Sequence, residues 1–296
     1  MINNQPLKIL LIGATGQVGF ELCRTLAPLG QLISVARQGT KITLDLIDAD
    51  NIKAVIKAVK PHLIVNAAAY TNVNQAETDQ LIAQKINADA VGIIGECAKK
   101  INASVVHYST DYVYAGDGHT AWQETDKTAP LNIYGKTKLD GEKYLLQSDA
   151  DSLILRTSWV YGMRGNNFLL TMQRLLAEKD KISVVNDEIG APTWSRMIAE
   201  ATSAILAQKI KQQFKFEQDA GIYNFSAIGE TSWYKFAVTI RDLSAISCDI
   251  EAIAAAAYPS AAARPKNSRL NHDKLARVFH IKFPHWHDSL ICCVDE

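Results

Sequence analysis

Tyr134 and Lys138 lie four residues apart and are the pair in this sequence best suited to transfer a proton. Residues at this spacing share one face of a helix. A neighbouring ammonium favours the ionised form of a phenol, and so it lowers the phenol's pKa from its ordinary value of about 10. The pair therefore predicts general acid–base chemistry, although an amphipathic helix with no catalytic role shows the same spacing.

Two small hydroxyl side chains, Ser109 and Thr110, follow an apolar run that begins near Val105. If this run is a strand of a parallel sheet, its carboxyl end is where open α/β sheets bind their ligands. Ser109 or Thr110 is then placed to donate a hydrogen bond to a substrate carbonyl oxygen. The alternative is that both hydroxyls cap a loop or the next helix.

Three glycines spaced three residues apart, Gly13, Gly16 and Gly19, follow an apolar run and precede a helical pattern. In a dinucleotide-binding turn, the first glycine makes the tight turn and the second lets backbone N–H groups approach a pyrophosphate. The third lets the helix pack closely on the strand. The next predicted strand ends in Ala36 instead of an acid, and Arg37 follows it. Arg37 suits a ribose 2′-phosphate, which favours NADPH over NADH, with a solvated loop charge as the alternative.

The elements that must position these residues alternate along the first two-thirds of the chain as strand and helix, the pattern of a parallel sheet with crossover helices. The predicted strands are Leu7 to Ile12, Leu32 to Ala36, Leu63 to Asn66, Ser104 to Tyr108 and Leu153 to Arg156. The predicted helices are Val18 to Leu26, Asp50 to Val59, Asp79 to Ile101 and Tyr134 to Leu146. This order predicts an α/β fold with a doubly wound parallel (Rossmann) sheet.

A smaller C-terminal α/β substrate lobe is predicted where the alternation weakens. We expect residues 1–158 to form the dinucleotide-binding domain and residues 159–296 to form mainly the substrate-binding lobe. Segments near 181–188 and 221–227 are expected to return to the first domain.

Composition excludes several other classes of protein. The 296 residues carry 31 basic and 31 acidic side chains, so a charge-driven nucleic-acid binder is excluded. No apolar run reaches the roughly 20 residues of a membrane span, and residues 1–6 lack the features of a signal peptide, so we expect a cytoplasmic protein. The five cysteines are scattered and lack the spacing of a zinc or redox motif.

Six segments of the chain together resemble the extended short-chain dehydrogenase/reductases. They are residues 13–19, 65–71, 107–113, 131–138, 156–161 and 264–270. The first and fourth are shared across the wider superfamily. The run from Arg156 to Trp159, followed closely by Asn166, Asn167 and Phe168, is particular to members that reduce dTDP-linked sugars.

The resemblance implies a role for each matching residue. Tyr134 would donate the proton, Lys138 would tune it and hold the nicotinamide ribose, and Thr110 would hydrogen-bond the reacting carbonyl. The implied cofactor contacts are Gly13, Gly16, Gln17, Val18, Gly19, Arg37, Asp45, Leu46, Ala68, Ala69, Tyr70 and Thr71. The implied sugar-pocket residues are Val73, Tyr112 and Trp159, whose indole could stack on a pyranose ring.

The resemblance also implies NAD(P)H-dependent reduction of a dTDP-linked 4-keto-6-deoxy sugar by a homodimer that uses magnesium. No magnesium ligand set is identifiable. His285 and His287 would share one face if they lay on a strand, but they lack a third ligand. Two alternatives stay open: a sugar-nucleotide epimerase or dehydratase of the same superfamily, and a non-catalytic NADP-binding subunit similar to the regulatory subunit of methionine adenosyltransferase.

Overall fold

Seven parallel strands form the central sheet of the computed structural model, which describes residues 6–295. Their order is β11-β6-β5-β4-β1-β2-β3. The strands are β1 (Lys8–Ile12), β2 (Gln31–Ala36), β3 (Ile42–Thr43), β4 (Leu63–Asn66), β5 (Ser104–Thr110), β6 (Ser152–Thr157) and β11 (Gly221–Asn224). The predicted doubly wound α/β fold is confirmed. Residues 1–5, which carry most of the signal-peptide argument, lie outside the described part of the chain.

Helices cover both faces of this sheet because its strands alternate apolar side chains between two cores. Ile9 and Leu11 belong to one buried cluster, whereas Leu10 and Ile12 belong to the other. The helices of this part of the fold are α1 (Gln17–Thr25), α2 (Ala49–Val59), α3 (Val73–Ala76), α4 (Gln80–Gln84), α5 (Ala90–Lys100), α6 (Ile133–Gln147), α8 (Ser195–Lys209) and α10 (Asp273–Phe279).

The predicted helix from Asp79 to Ile101 is interrupted in the structure. A π-helical turn, Lys85–Asp89, separates α4 from α5. Asn87 in this turn is buried and hydrogen-bonds both the N–H and the carbonyl of Tyr70. Such turns are frequent at functional sites, and this one directs a polar side chain to the loop after β4.

The second lobe is built from short paired strands and three helices around a separate apolar cluster. Its strand pairs are β7 (Val160–Tyr161) with β10 (Thr193–Trp194), β8 (Lys181–Val185) with β13 (Asp249–Ile253), and β9 (Ile189–Gly190) with β12 (Thr231–Ser232). Its helices are α7 (Phe168–Glu178), α9 (Trp233–Leu243) and α11 (Trp286–Val294).

Of the two segments expected to return to the first domain, the later one joins the main sheet as β11 beside β6. The earlier one, β8, pairs with β13 in the second lobe instead. The burial patterns fit the difference. None of the residues of β11 is exposed, whereas the first four residues of β8 alternate between exposed and buried side chains, as in a strand with one face in solvent.

No helix among residues 6–295 is long and apolar enough to cross a membrane.

Candidate active site

The carboxyl ends of β1, β4, β5 and β6 converge at one edge of the sheet. Gly13 follows β1, Ala67 follows β4, and Thr110 ends β5. Helix α6 begins beside them because the Asn132 side chain caps it, accepting a hydrogen bond from Gly135 N at 2.8 Å. The helix thereby places Tyr134 and Lys138 at the edge where open α/β sheets bind ligands.

The three glycines of the turn after β1 have different surroundings. A Cβ on Gly13, whose φ is +87°, would lie 2.7 Å from Ala68 N, and one on Gly19 would lie 2.0 Å from Gly13 O. Both glycines are therefore required by the packing of the chain itself. At Gly16 the nearest atom to an added Cβ is Gly13 O, at 3.4 Å, which is ordinary contact. The chain leaves the space at Gly16 open.

The first turn of α1 is uncapped, because Gly16 stands at its N-cap position without a side chain. Free backbone N–H groups and the helix dipole make such an end an anion site. Together with the open space at Gly16, this fits the pyrophosphate of a dinucleotide. Gln17, Val18 and Gly19, for which the resemblance implies cofactor contacts, form that first turn.

A loop of the second lobe, residues 162–167, lies against this turn. Asn167 donates a hydrogen bond to the Gln17 side chain at 2.9 Å and also caps α7, where Leu170 N donates to it. Arg164 Nε lies 3.4 Å from Thr15 O, and its guanidinium lies over the Phe20 ring. The two lobes thus meet at the predicted pyrophosphate position.

Arg37 is exposed in the loop between β2 and β3, and that loop approaches the glycine turn. A Cβ on Gly39 would lie 3.4 Å from Thr15. The geometry places Arg37 at the end of β2, where a ribose 2′-group would lie. Asp45 accepts a hydrogen bond from Ile47 N within its own loop, and the Leu46 side chain packs into the core.

The loop after β4 is held in place from two sides. Ala68 N donates to Asn66 Oδ1 at 3.2 Å, and Asn87 binds the backbone of Tyr70. The Tyr70 hydroxyl donates to Asp79. The resemblance implies cofactor contacts for the residues of this loop, Ala68, Ala69, Tyr70 and Thr71. The loop follows the carboxyl end of β4 and begins next to Gly13.

Lys138 is buried, with 2% of its surface exposed, and its ammonium is held by two groups of β5. It donates to Tyr108 O at 2.7 Å and lies 3.2 Å from His107 Nε2. Burial lowers the pKa of Lys138 to about 8, while the Glu142 carboxylate acts in the opposite direction. An ammonium carries three protons, so one of them stays available to a ligand.

Tyr134 is partly buried, and burial raises its pKa to about 12. A hydrogen bond with Thr110 acts in the opposite direction, and the charge of Asp111 acts with burial. Lys138 was expected to lower the pKa of this phenol. Among the described residues it is not one of the groups that shift this pKa, because its ammonium contacts Tyr108 O and His107 of β5. Tyr134 therefore stays protonated at neutral pH and is available as an acid.

The two hydroxyls at the end of β5 have separate tasks. Ser109 donates to the buried Glu142 carboxylate. Thr110 lies next to Tyr134 and also donates to Asp111 Oδ1 at 3.0 Å. Of the two candidates for a carbonyl donor, the structure therefore places Thr110 at the site and turns Ser109 into the core.

A buried ion pair that was not predicted from the sequence joins α6 to β6. Glu142 accepts hydrogen bonds from Arg156 Nε at 2.9 Å and Nη2 at 2.6 Å, and both side chains are 2% exposed. Arg156 also donates to the Tyr114 hydroxyl. Glu142 stands one helical turn after Lys138, as Lys138 does after Tyr134, and this repeat of four was the available signal.

A cavity of about 590 Å³ opens between the loop after β4 and the second lobe. Thr71 and Val73 line it from one side, and Trp233, Glu188 and Arg264 line it from the other. Tyr134 and Thr110 are not among its lining residues. Tyr112 is near both groups: its ring packs edge-on against Tyr134 with centroids 5.5 Å apart, and the charges of Arg264 and Glu188, which line the cavity, shift its pKa.

Trp159 follows β6 with a left-handed backbone, φ +47°. One face of its indole stacks on Trp233 at a centroid distance of 3.6 Å, and a Cβ on Gly190 would lie 2.7 Å from Trp159 Cε2. The predicted stacking of Trp159 on a sugar ring is therefore blocked on the face that Trp233 covers. The indole can still contact a ligand through its edge.

The alternate spacing of His285 and His287 would place both on one face of a strand, but in the structure the pair stands at the start of a helix. His285 is the N-cap of α11, and its Nδ1 accepts from His287 N. Among the described residues no group of three or more His, Cys, Asp or Glu side chains is arranged to hold a metal ion. The described residues of one chain thus provide no complete ligand set for the magnesium that the resemblance implied.

Comparison with known proteins covers nearly the whole chain. Residues 7–296 match the family model of the RmlD substrate binding domain. The chain is 43% identical over 286 residues to dTDP-4-dehydrorhamnose reductase of Escherichia coli K12, covering 95% of this chain and 94% of that protein. Two crystal structures, each 32% identical in sequence, match with TM-scores of 0.89 and 0.88. Each match covers 98% of this chain and 99% of the other chain. The structures are a dTDP-4-dehydrorhamnose reductase of Clostridium acetobutylicum and that of Bacillus anthracis in complex with NADP.

Proposed function

The chain belongs to the family of the RmlD substrate binding domain, and from this premise we propose that it reduces the 4-keto group of dTDP-4-dehydro-6-deoxy-L-mannose to give dTDP-L-rhamnose. It is an oxidoreductase that uses NADPH or NADH. The observation that carries the proposal is the meeting of Tyr134, Lys138 and Thr110 beside an open glycine turn.

The cofactor would lie along the carboxyl edge of β1 and β4. Its pyrophosphate fits the uncapped start of α1 at Gly16, and Arg37 is available to a 2′-phosphate. The remaining N–H group of the Lys138 ammonium would donate a hydrogen bond to the nicotinamide ribose. When bound, the reduced nicotinamide supplies the hydride that the carbonyl carbon accepts.

Tyr134 would donate its phenolic proton to the carbonyl oxygen during the reduction, because its raised pKa keeps it protonated until then. The Thr110 hydroxyl would turn its one proton from Asp111 Oδ1 to the same oxygen and so stabilise the developing alkoxide. The tyrosinate that remains would regain a proton from solvent before the next turnover. Positioning and electrostatics then supply most of the rate acceleration.

Residues of the first domain would bind the cofactor, and the cavity lined by Thr71, Val73, Trp233, Glu188 and Arg264 would receive the dTDP-sugar. Arg264 supplies the positive charge that a nucleotide diphosphate requires. Tyr112 and the edge of Trp159 would border the sugar. We expect the protein to be a homodimer in the cytoplasm. Sedimentation of the purified protein measures its oligomeric state.

The test is turnover of dTDP-4-dehydro-6-deoxy-L-mannose with NADPH and with NADH, beside two variants of α6. We expect one NADPH consumed for each dTDP-L-rhamnose formed. Tyr134→Phe should lower kcat by about 100-fold or more with little change in NADPH affinity, whereas the control Tyr144→Phe, on the exposed face, should keep full activity. An epimerase would convert its substrate without net consumption of NADPH, and wild-type turnover by Tyr134→Phe would refute the assigned acid.

A further inference from the structure

His107 is a fully buried imidazole between two polar side chains of the site. Its Nε2 lies 3.2 Å from Lys138 Nζ, and its Nδ1 lies 3.2 Å from Asn66 Nδ2. Asn66 stands directly opposite His107 in the β4–β5 register. Asn66 Oδ1 in turn accepts from Ala68 N, so a chain of contacts runs from Lys138 to the loop after β4.

This chain of contacts cannot satisfy every group when Lys138 is charged. Burial and the Lys138 charge hold the pKa of His107 well below its ordinary value, so the imidazole is neutral, with one N–H and one acceptor nitrogen. An ammonium on one side and an amide NH₂ on the other are both donors. A neutral imidazole can accept from only one of them.

With Lys138 neutral, the hydrogen bonds are complete. Asn66 Nδ2 donates to His107 Nδ1, and His107 Nε2–H donates to the lone pair of Nζ. With Lys138 charged, Nε2 must accept and the ring proton moves to Nδ1. The Asn66 amide must then turn its oxygen toward His107, and Ala68 N loses the acceptor that it has in this structure.

We propose that His107 is a positioning residue that couples the protonation state of Lys138 to the hydrogen bonding of the loop after β4. The inference rests on the proposed function, because Lys138 and that loop are where the cofactor would bind. Its consequence is that a bound nicotinamide ribose, which favours the charged amine, also changes the backbone donor available at Ala68.

Other charged and titratable groups packed around Lys138 do not provide this link. Glu142 on α6 favours the charged amine, but it is shared with Arg156 of β6 and with Ser109. Tyr134 precedes Lys138 by one turn, and Asp111 follows the end of β5 and bonds Thr110. Of the groups on the described residues, His107 is the one that contacts both Lys138 and Asn66.

The tautomer of His107 can be measured directly. Protein labelled with ¹⁵N-histidine is studied by NMR from pH 6 to pH 10, with the His107 signals assigned by their loss in His107→Gln. We expect the ring proton on Nδ1 at low pH and on Nε2 at high pH, with a midpoint near the Lys138 pKa of about 8. One unchanged tautomer across this range would overturn the proposal.

A second measurement uses NADPH binding instead of turnover. The oxygen of a glutamine side chain can accept from the ammonium while its NH₂ turns elsewhere, so His107→Gln should let Lys138 keep its proton to higher pH. We expect the pH at which NADPH affinity falls to rise by about one unit, the equivalent of one buried hydrogen bond. His62→Gln is the matched control, because His62 lies at the opposite end of β4 and bonds Lys8 N.

The two proposals can fail separately. If the pH dependence of NADPH affinity in His107→Gln equals that of wild type and of the control, the coupling is refuted even when the reductase activity is present. If the tautomer switches but no dTDP-sugar is reduced, the coupling stands and the substrate assignment fails.

Discussion

Gly16 and Gly19 provide a paired test of the cofactor cradle, because the structure assigns them different reasons for lacking a side chain. A Cβ on Gly19 would lie 2.0 Å from Gly13 O and 3.0 Å from Ala14 Cα. A Cβ on Gly16 meets no atom of the chain closer than 3.4 Å, and φ −76° with ψ 174° suits alanine. Alanine at Gly19 should therefore harm the fold, and alanine at Gly16 should harm only the binding of NADPH.

The magnitudes follow from these distances. Gly19→Ala must push α1 away from the turn, and overpacking against backbone costs about 3 kcal/mol or more in the free energy of unfolding. Gly16→Ala should change that free energy by less than about 1 kcal/mol. Its methyl group would stand where the pyrophosphate approaches, at a cost of about 1.5 to 3 kcal/mol for a lost charge-assisted hydrogen bond. NADPH affinity should thus fall by about 10- to 100-fold.

Urea unfolding measures the stability of both variants, and titration of NADPH fluorescence measures affinity. Gly19→Ala is expected to unfold at lower urea than wild type, whereas Gly16→Ala keeps the wild-type midpoint and binds NADPH weakly. Wild-type NADPH affinity in Gly16→Ala would refute the placement of the pyrophosphate. Wild-type stability in Gly19→Ala would refute the close packing of α1 on the turn.

Three further predictions concern buried or exposed charges. Glu142→Gln leaves Arg156 as an unpaired buried charge and should lower the free energy of unfolding by about 3 kcal/mol or more in urea melts, with much of the loss recovered in Glu142→Gln/Arg156→Gln. Arg37→Ala should weaken NADPH binding by about 10-fold and leave NADH binding unchanged, and an unchanged ratio of the two Kd values would contradict the assigned role. Burial lowers the pKa of Lys138 to about 8. Below pH 8 the folded state therefore bears the full free-energy cost of burying the charged amine. This cost is lost as the pH rises from 8 to about 10.5, the pKa of the unfolded side chain. Lys138→Met should therefore raise the free energy of unfolding at pH 7 by up to about 3 kcal/mol, and this gain should disappear between pH 8 and about 10.5 in melts across that range.

The elements of the first domain were predictable because their apolar patterns are local. The strand from Leu63 to Asn66 matches the structure in full. The predicted strands that begin at Leu32, Ser104 and Leu153 are shorter than the observed ones, and the strand predicted from Leu7 begins one residue too early. Three of the four predicted helices agree to within one residue at each end. Each of these segments carries its own period and its own flanking turn residues.

The residues that organise the site were not predictable in the same way, because their partners are distant in the sequence. Arg156 pairs with Glu142 from another element, and Asn87 reaches Tyr70 only through a π-helical turn that no local pattern indicates. Trp159 is covered by Trp233, which lies on α9 of the second lobe. Burial of polar groups in such pairs follows from tertiary packing, which a single sequence does not specify.

The most direct test of the central claim is to follow deuterium from [4,4-²H₂]NADPH into the product formed from dTDP-4-dehydro-6-deoxy-L-mannose. We predict one deuterium at C4 of dTDP-L-rhamnose for each NADPH consumed by the wild-type protein, and almost none with Tyr134→Phe. Product without deuterium, or consumption of NADPH without dTDP-L-rhamnose, would contradict the proposed reduction at this site.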